Sequence, residues 1–258
     1  MSSFQHIESW VEGDLGFIEL NRPHVLNAIN KEMVSEILYC LEKYDRDANV
    51  KVMVLLGKGR AFAAGADIDE MANVGAVDLE LMNQFRDWDH IAEIKKPIIG
   101  AVQGFALGGG FELALCCDLL FASDDAEFGF PEVTLGIMPG AGGTQRLTKL
   151  IGKTRAMEWL LTGERMMAKE AEKLGVLNRT FAKELLVEET IAVARKIAAQ
   201  PSLSVRLIKE ATLKAVDVSV EEGMKFERKN FAILFSSEDQ KEGMKAFQEK
   251  RKPDYRGR

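Results

Sequence analysis

Short apolar segments that alternate with helical segments constrain the fold of this chain more than any other feature. Residues 98–102, Ile-Ile-Gly-Ala-Val, have the composition of a buried strand, and residues 107–115 have the pattern of a helix entered through three glycines. Two more apolar segments, 118–123 and 127–130, follow as short predicted strands. Because strands alternating with helices require crossover connections, the sequence predicts an α/β fold.

The N-terminal and C-terminal parts of the chain have sequence patterns that differ from each other. Near the N-terminus, residues 7–11 and 16–20 predict two strands of a hairpin, and residues 77–94 predict one amphipathic helix. From Gly143 onward one helical segment follows another. We therefore expect an α/β body over residues 1–200 and a helical C-terminal region over residues 201–258.

Composition narrows the class of protein. The chain has 258 residues, 47% of them hydrophobic, and a net charge of −6, which argues against a protein whose main partner is duplex nucleic acid. Its three cysteines and three histidines lack the spacing of a disulfide framework or a zinc site, so no metal is expected. The N-terminus lacks the pattern of a signal peptide, and no apolar stretch approaches the length of a membrane span. The sequence predicts a cytoplasmic protein.

Two glycine-rich segments are candidates for binding a negatively charged oxygen. Ala64-Gly-Ala-Asp67 has small side chains, and Gly108-Gly-Gly110 lies between a predicted strand and a predicted helix. Backbone N–H groups are accessible in such segments, and two that converge on one carbonyl oxygen form an oxyanion hole. Tight strand–helix packing explains glycine clusters equally well, so both interpretations stay open here.

Glu112 and Glu132 are the candidate acid–base groups, because each lies beside one of the predicted turns. A carboxylate in a first helical turn also complements the helix dipole, and glutamate after Pro131 is a common capping arrangement. Competing site types lack their motifs: the chain has no Gly-Lys-Ser/Thr ending of a P-loop, no dinucleotide fingerprint and no Gly-x-Ser-x-Gly.

Three sequence motifs, taken together, are specific enough to indicate a protein family. Residues 62–68 (Phe-Ala-Ala-Gly-Ala-Asp-Ile), 104–114 (Gly-Phe-Ala-Leu-Gly-Gly-Gly-Phe-Glu-Leu-Ala) and 128–147 resemble the enoyl-CoA hydratase (crotonase) family, and the likeness extends from Ile7 into the C-terminal tail. The resemblance implies a crotonase-like spiral of ββα units with a helical C-terminal region. It also implies trimers that are usually paired into hexamers.

The resemblance also implies roles for particular residues. Backbone N–H groups of Ala66 and Gly109 would hold the thioester oxygen of acyl-CoA, Glu112 would act mainly on water, and Glu132 mainly on the proton at C2. Family members with both glutamates are typically hydratases. Further residues would bind substrate or line its pocket, although core packing is the alternative for the tryptophan: Arg22, Ala64, Gly65, Asp67, Ile68, Trp88 and Gly140.

These features lead to a prediction of enoyl-CoA hydratase activity, the reversible syn addition of water to trans-2-enoyl-CoA, as in the β-oxidation of fatty acids. No cofactor is expected, since coenzyme A is part of the substrate. The alternatives are an enoyl-CoA isomerase, a dicarboxylic enoyl-CoA hydratase, or a non-catalytic member that binds acyl-CoA or RNA.

Overall fold

The structure is a computed structural model that describes residues 4–72 and 74–258. The strands are β1 (Ile7–Glu12), β2 (Leu15–Leu20), β3 (Val52–Gly57), β4 (Ile98–Val102), β5 (Phe105–Leu107), β6 (Leu119–Ser123), β7 (Glu127–Gly129), β8 (Arg165–Met167) and β9 (Arg179–Phe181). The α-helices are α1 (Lys31–Arg46), α2 (Ala76–Met82), α3 (Arg86–Ala92), α4 (Gly109–Leu115), α5 (Gly143–Ile151), α6 (Lys153–Thr162), α7 (Ala168–Lys173), α8 (Leu186–Ala198), α9 (Ser202–Ala215), α10 (Val220–Leu234) and α11 (Glu238–Gln248).

The strands form a larger and a smaller sheet. The larger has the order β1-β2-β3-β4-β6-β9, in which β1 and β2 are an antiparallel hairpin and every other pairing is parallel. The smaller has the order β5-β7-β8. Successive strand pairs, β4 with β5 and β6 with β7, give one strand to each sheet, so the chain advances as a spiral. The predicted α/β fold and N-terminal hairpin are confirmed.

Helices cover the larger sheet on both faces, which explains why β3 is buried along its whole length. On one face, α1 buries Met33 and Ile37 in a cluster that includes Ile18 and Met53. On the other face, α8 packs against a second apolar cluster that includes Phe17. Strands buried on both faces are expected to be continuously apolar, as β3 and β4 are.

One predicted helix is wrong in its extent. Residues 77–94 form two short helices, α2 and α3, because Asn83 takes a left-handed conformation with φ 43° and ends the first of them. Strands β5, β8 and β9 were not predicted from the sequence, because each has only three residues.

The C-terminal helices α9 to α11 follow Pro201, in agreement with the predicted helical pattern. An ion pair fixes α9 to the α/β body: Lys209 Nζ lies 2.7 Å from Asp118 Oδ2, and Asp118 Oδ2 also accepts a hydrogen bond from the Ile98 N–H at 2.8 Å. A division of the chain at residue 200 stays a prediction. Across residues 4–72 and 74–258, no helix is both long and apolar enough to cross a membrane.

Candidate active site

A cavity of about 610 Å³ lies between the N-terminal ends of α1 and α4, the α2–α3 segment, and the loop segments 64–71 and 131–141. Both glutamates line it, from α4 and from a short 3-10 helix over Pro131–Leu135. Most of the substrate-site residues expected from the sequence line it as well: Ala64, Gly65, Ala66, Asp67, Ile68, Trp88, Gly109 and Gly140. The fold therefore brings three sequence segments, widely separated along the chain, to one pocket.

Aromatic packing holds the two glutamate-bearing segments together. Phe111, the residue before Glu112, lies between Phe128 and Phe130, with ring centroids 5.2 Å and 4.8 Å away. Phe130 in turn directly precedes the proline that starts the 3-10 helix of Glu132. All three rings are buried in the main core. Because interiors pack closely, these rings fix how far apart the two carboxyl groups lie.

Glu112 is a buried carboxylate with two backbone donors. Its side chain is part of the interior face of α4, and the residue is 4% exposed. Its Oε1 accepts hydrogen bonds from the N–H groups of Ala141 at 2.7 Å and Gly143 at 2.8 Å. Burial raises the pKa of Glu112, while the two N–H donors, the charge of Arg146 and the Gly140 N–H oppose that rise. These groups stabilise the ionised form and limit the rise, although burial still leaves the pKa of Glu112 above its ordinary value.

Glu132 has a different environment. It is 9% exposed, and within the described part of the chain its buried Oε2 has no hydrogen-bond partner. Burial, with a smaller contribution from the nearby charge of Glu112, raises the pKa of Glu132 to about 7. Burial outweighs the backbone hydrogen bond from the residue's own N–H, so the neutral form is favoured and Glu132 can carry a proton near neutral pH.

Gly108 makes room for the Glu132 carboxyl group. Its φ of 49° lies in the left-handed region, and a methyl group built on its Cα would stand 2.9 Å from Glu132 Oε1. The Gly108 N–H donates to the Gly129 carbonyl at 2.8 Å, which ties the start of α4 to the end of β7. Glycine is required here both by the backbone conformation and by the close approach.

The segment that contains Ala66 pairs with residues 26–29 on one edge. The Ile29 N–H donates to the Gly65 carbonyl, and the Asp67 N–H donates to the Ile29 carbonyl, each at 2.8 Å. In this parallel pairing Ala66 lies between the bonded residues, so its own N–H points to the opposite edge. A Cβ built on Gly109 would lie 3.6 Å from that Ala66 nitrogen, so the two backbone segments are adjacent.

Arg22 is the one residue of the expected site that does not line the cavity. Its Nη1 lies 2.9 Å from Asp67 Oδ2 and donates to the Ala28 carbonyl at 2.6 Å, and its side chain is 15% exposed. Arg22 therefore connects the two backbone segments that support Ala66. Its proposed contact with coenzyme A remains a prediction.

Two contributors to the site were not identified from the sequence. Gly140 was expected in the site, but the Ala141 and Gly143 N–H groups, which bind Glu112 from the 140–143 turn, were not, and neither was Phe85 in the cavity wall. The turn had a visible signal, the Gly-Ala-Gly-Gly sequence before a helix, but nothing local links it to Glu112. Phe85 had none, since it falls at the break between α2 and α3. Among residues 4–72 and 74–258, no three side chains of His, Cys, Asp or Glu are grouped so that they could hold a metal ion.

Residues 11–258 match the family described as "Enoyl-CoA hydratase/isomerase". A "Probable enoyl-CoA hydratase" of Rhizobium meliloti (strain 1021) is 46% identical over 256 residues, which is 99% of this chain and 100% of that protein. "Enoyl-CoA hydratase, mitochondrial" of Pongo abelii is 44% identical over 94% of this chain and 83% of its own length.

A solved structure gives the same result for the fold. "Enoyl-CoA Hydrates Subunit I" from Geobacillus kaustophilus HTA426 superposes with a TM-score of 0.98 at 62% sequence identity, over 100% of both chains. At this identity and coverage the likeness extends beyond the fold to the sequence as a whole.

Proposed function

Since this chain belongs to the enoyl-CoA hydratase/isomerase family, we propose that it is a hydro-lyase that adds water reversibly to trans-2-enoyl-CoA to give 3-hydroxyacyl-CoA. The resemblance and the crotonase-like fold predicted from the sequence are confirmed. The observation that carries the proposed mechanism is the pair of buried glutamates facing one cavity in different electrostatic environments.

The thioester oxygen is proposed to bind between the N–H groups of Ala66 and Gly109. Attack of water at C3 pushes electrons through the conjugated system onto this oxygen, so an enolate develops there. Two fixed donors stabilise that charge, and losing one such donor typically costs about 3 kcal/mol of transition-state stabilisation. Support comes from the outward-facing Ala66 N–H and from the adjacent start of α4 at Gly109.

The two glutamates are proposed to divide the proton transfers. Glu112, with its carboxylate held by two N–H donors, accepts a proton from water as the oxygen bonds to C3. Glu132, with a pKa of about 7, delivers a proton to C2 as the enolate collapses. Delivery of both parts of water from the same side of the substrate gives syn addition. Each glutamate returns to its starting state when the product is released and protons exchange with solvent.

This division predicts a bell-shaped dependence of kcat/KM on pH. The low-pH side reports protonation of the base, and the high-pH side reports loss of the proton from the acid, near pH 7 if Glu132 is that acid. Because the two groups influence each other, the measured values belong to the pair. A profile that keeps rising well above pH 7 would contradict the assignment of Glu132 as the acid.

Hydration is tested by the loss of the ultraviolet absorbance of the conjugated enoyl thioester with crotonyl-CoA. Wild type should react rapidly, and Glu112→Gln and Glu132→Gln should each lose roughly a hundredfold or more in rate. Glu158→Gln, an exposed glutamate on α6, is the matched control and should behave as wild type. Failure of wild type on crotonyl-CoA and on longer 2-enoyl-CoAs would refute the hydratase proposal and direct attention to isomerisation.

Hydrogen isotope exchange at C2 separates the two glutamate roles. In Glu132→Gln, exchange should vanish because the group that moves the C2 proton is gone. Exchange that survives in Glu132→Gln but vanishes in Glu112→Gln would reverse the assignment. Both variants must first show the circular dichroism spectrum of folded wild type and a cooperative thermal unfolding transition.

The remaining expected site residues are proposed to bind the rest of the substrate. Ala64, Gly65, Asp67 and Ile68 run along the cavity beside the oxyanion donors, and Trp88 and Gly140 lie in its wall. Arg22 is proposed to reach coenzyme A, in competition with its ion pair to Asp67. No cofactor is proposed, because adding water changes no oxidation state overall and needs only proton transfer.

The assembly is proposed to be a trimer or a hexamer. Support comes from the C-terminal helices, where Phe231, Ile233 and Phe235 are 63%, 50% and 46% exposed. Apolar side chains clustered on a surface mark interaction sites. Light scattering on the purified protein should give three or six times the chain mass, and a monomer at micromolar concentration would contradict the proposal. We further propose that residues 201–258 provide the contacts between subunits and that the protein is cytoplasmic.

A further inference from the structure

The turn that holds Glu112 is itself held by an arginine. The turn comprises residues 140–143, between the 3-10 helix and α5. Its Ala141 and Gly143 N–H groups both bind Glu112 Oε1. The Ala141 carbonyl, on the other side of the same residue, accepts a hydrogen bond from Arg146 Nη1 at 2.7 Å. One residue of the turn is therefore clamped between the carboxylate and the guanidinium group.

Gly142 leaves the space that this clamp requires. It has a φ of 101°, in the left-handed region, and a Cβ built on it would stand 2.2 Å from Arg146 Nη1. Arg146 lies in the first turn of α5, where its own N–H donates to the Gly142 carbonyl at 2.8 Å. The arginine thus folds back along the turn that precedes its helix, and a side chain at 142 would displace it.

The charges around Glu112 give the clamp a chemical effect. Arg146 faces it from α5, Glu132 faces it from the 3-10 helix, and Cys116 follows it on α4. Burial raises the pKa of both Glu112 and Cys116, and the charge of Arg146 opposes that rise, while burial and the charge of Glu112 raise the pKa of Glu132. Arg146 is therefore the cation that acts on Glu112 in the described residues, and a base must be ionised to act.

We propose that Arg146 is a positioning residue for hydration, which fixes the 140–143 turn through the Ala141 carbonyl and so keeps two N–H donors on the Glu112 carboxylate. It touches neither substrate nor the reacting atoms in this role. The inference rests on the proposed two-glutamate mechanism and deepens it.

Crotonyl-CoA hydration across a range of pH tests the proposal, with Arg146→Met, Arg146→Lys and the control Arg165→Met. Arg165 also pairs with a glutamate, Glu127 at 2.9 Å, but it lies on β8 away from the turn. In Arg146→Met, kcat should fall by on the order of tenfold with KM unchanged, because small misplacements of a reacting group are costly. Loss of the cation also raises the pKa of Glu112, so the low-pH limb of the profile should move to higher pH.

Arg146→Lys keeps a positive charge at position 146, and it tests the inference even if Arg146→Met does not fold. Its low-pH limb should stay at the wild-type position while kcat falls less than in Arg146→Met. The inference would be overturned if the low-pH limb of Arg146→Met stayed at its wild-type position. It would also be overturned if the low-pH limb of Arg165→Met moved as far as that of Arg146→Met, or if the low-pH limb of Arg146→Lys moved.

Glu112→Gln, measured alongside, separates this inference from the mechanism beneath it. If Glu112→Gln is inactive and Arg146→Met matches wild type, only the role of Arg146 is wrong. If Glu112→Gln hydrates crotonyl-CoA as fast as wild type, the two-glutamate mechanism fails and the inference falls with it.

Discussion

Replacing Glu132 by glutamine should make the protein more stable at high pH. Burial raises the pKa of this carboxyl group from its ordinary value of 4.5 to about 7. The unfolded chain therefore loses the Glu132 proton before the folded chain does, and stability falls as pH rises from the unfolded pKa to the folded pKa. Each step of one in pKa corresponds to about 1.4 kcal/mol, so the loss across this window amounts to about 3 kcal/mol.

Glutamine has the shape of the neutral glutamic acid and does not titrate. The difference in stability between Glu132→Gln and wild type should therefore grow in favour of the variant from about pH 5 to about pH 8 by most of that 3 kcal/mol. For a chain of this size the expected change in the difference between their melting temperatures is roughly 5–10 °C.

The assay is thermal unfolding followed by circular dichroism at several pH values, at one fixed protein concentration because subunit association also stabilises the folded state. Glu158→Gln, on the exposed face of α6, is the control and should show no such dependence on pH. A difference between Glu132→Gln and wild type that stays constant from about pH 5 to about pH 8 would refute the reasoning, since Glu132 would then ionise alike in both states.

Two further predictions concern the pocket wall and the attachment of α9. Phe85→Ala should enlarge the cavity and so raise, roughly tenfold, the kcat/KM for 2-decenoyl-CoA relative to that for crotonyl-CoA. The Phe85 ring lies in the cavity wall and packs closely on Gly140, since a Cβ built on Gly140 would stand 2.5 Å from the ring. Leu81→Ala, at a side chain 79% exposed, should leave this ratio unchanged. Lys209→Met should destabilise the protein by about 3 kcal/mol at neutral pH, since it leaves the partly buried Asp118 carboxylate without its cation. The loss should shrink as pH falls and Asp118 takes up a proton, and an equal loss at all pH values in unfolding experiments would contradict this account.

The N-terminal hairpin and α1 were predictable because their signals are local. Two short strands flank a glycine turn, and Asn30 caps α1 by accepting a hydrogen bond from the Met33 N–H at 2.9 Å. The predicted helix over residues 77–94 failed for a physical reason. Its apolar side chains Val77 and Leu81 are 72% and 79% exposed, so their helical spacing does not mark a core-facing stripe.

The site was predictable only in part from the residues themselves. Glu112 and Glu132 stood beside glycine- and proline-rich turns, and that placement suggested acid–base chemistry before any family was considered. The two hydrogen bonds to the Glu112 carboxylate were not predictable, because their donors lie 29 and 31 positions away in sequence. These donors are backbone N–H groups, which every residue type except proline carries, so no side chain signals them. Arg22 shows the opposite case: the family resemblance implied a contact with substrate, and the fold gives its side chain a carboxylate partner, Asp67.

The α2 segment has a consequence for how relatives of this protein diversify. Ala76–Met82 buries none of its residues, yet it adjoins the wall of the cavity at Leu79. Substitutions there remove no core contact, whereas the glutamates stand on segments fixed by buried aromatic rings. Mutational drift in this helix can therefore alter which acyl chains fit while the reacting groups stay in place, so new substrate preferences are accessible without passing through unfolded or inactive intermediates.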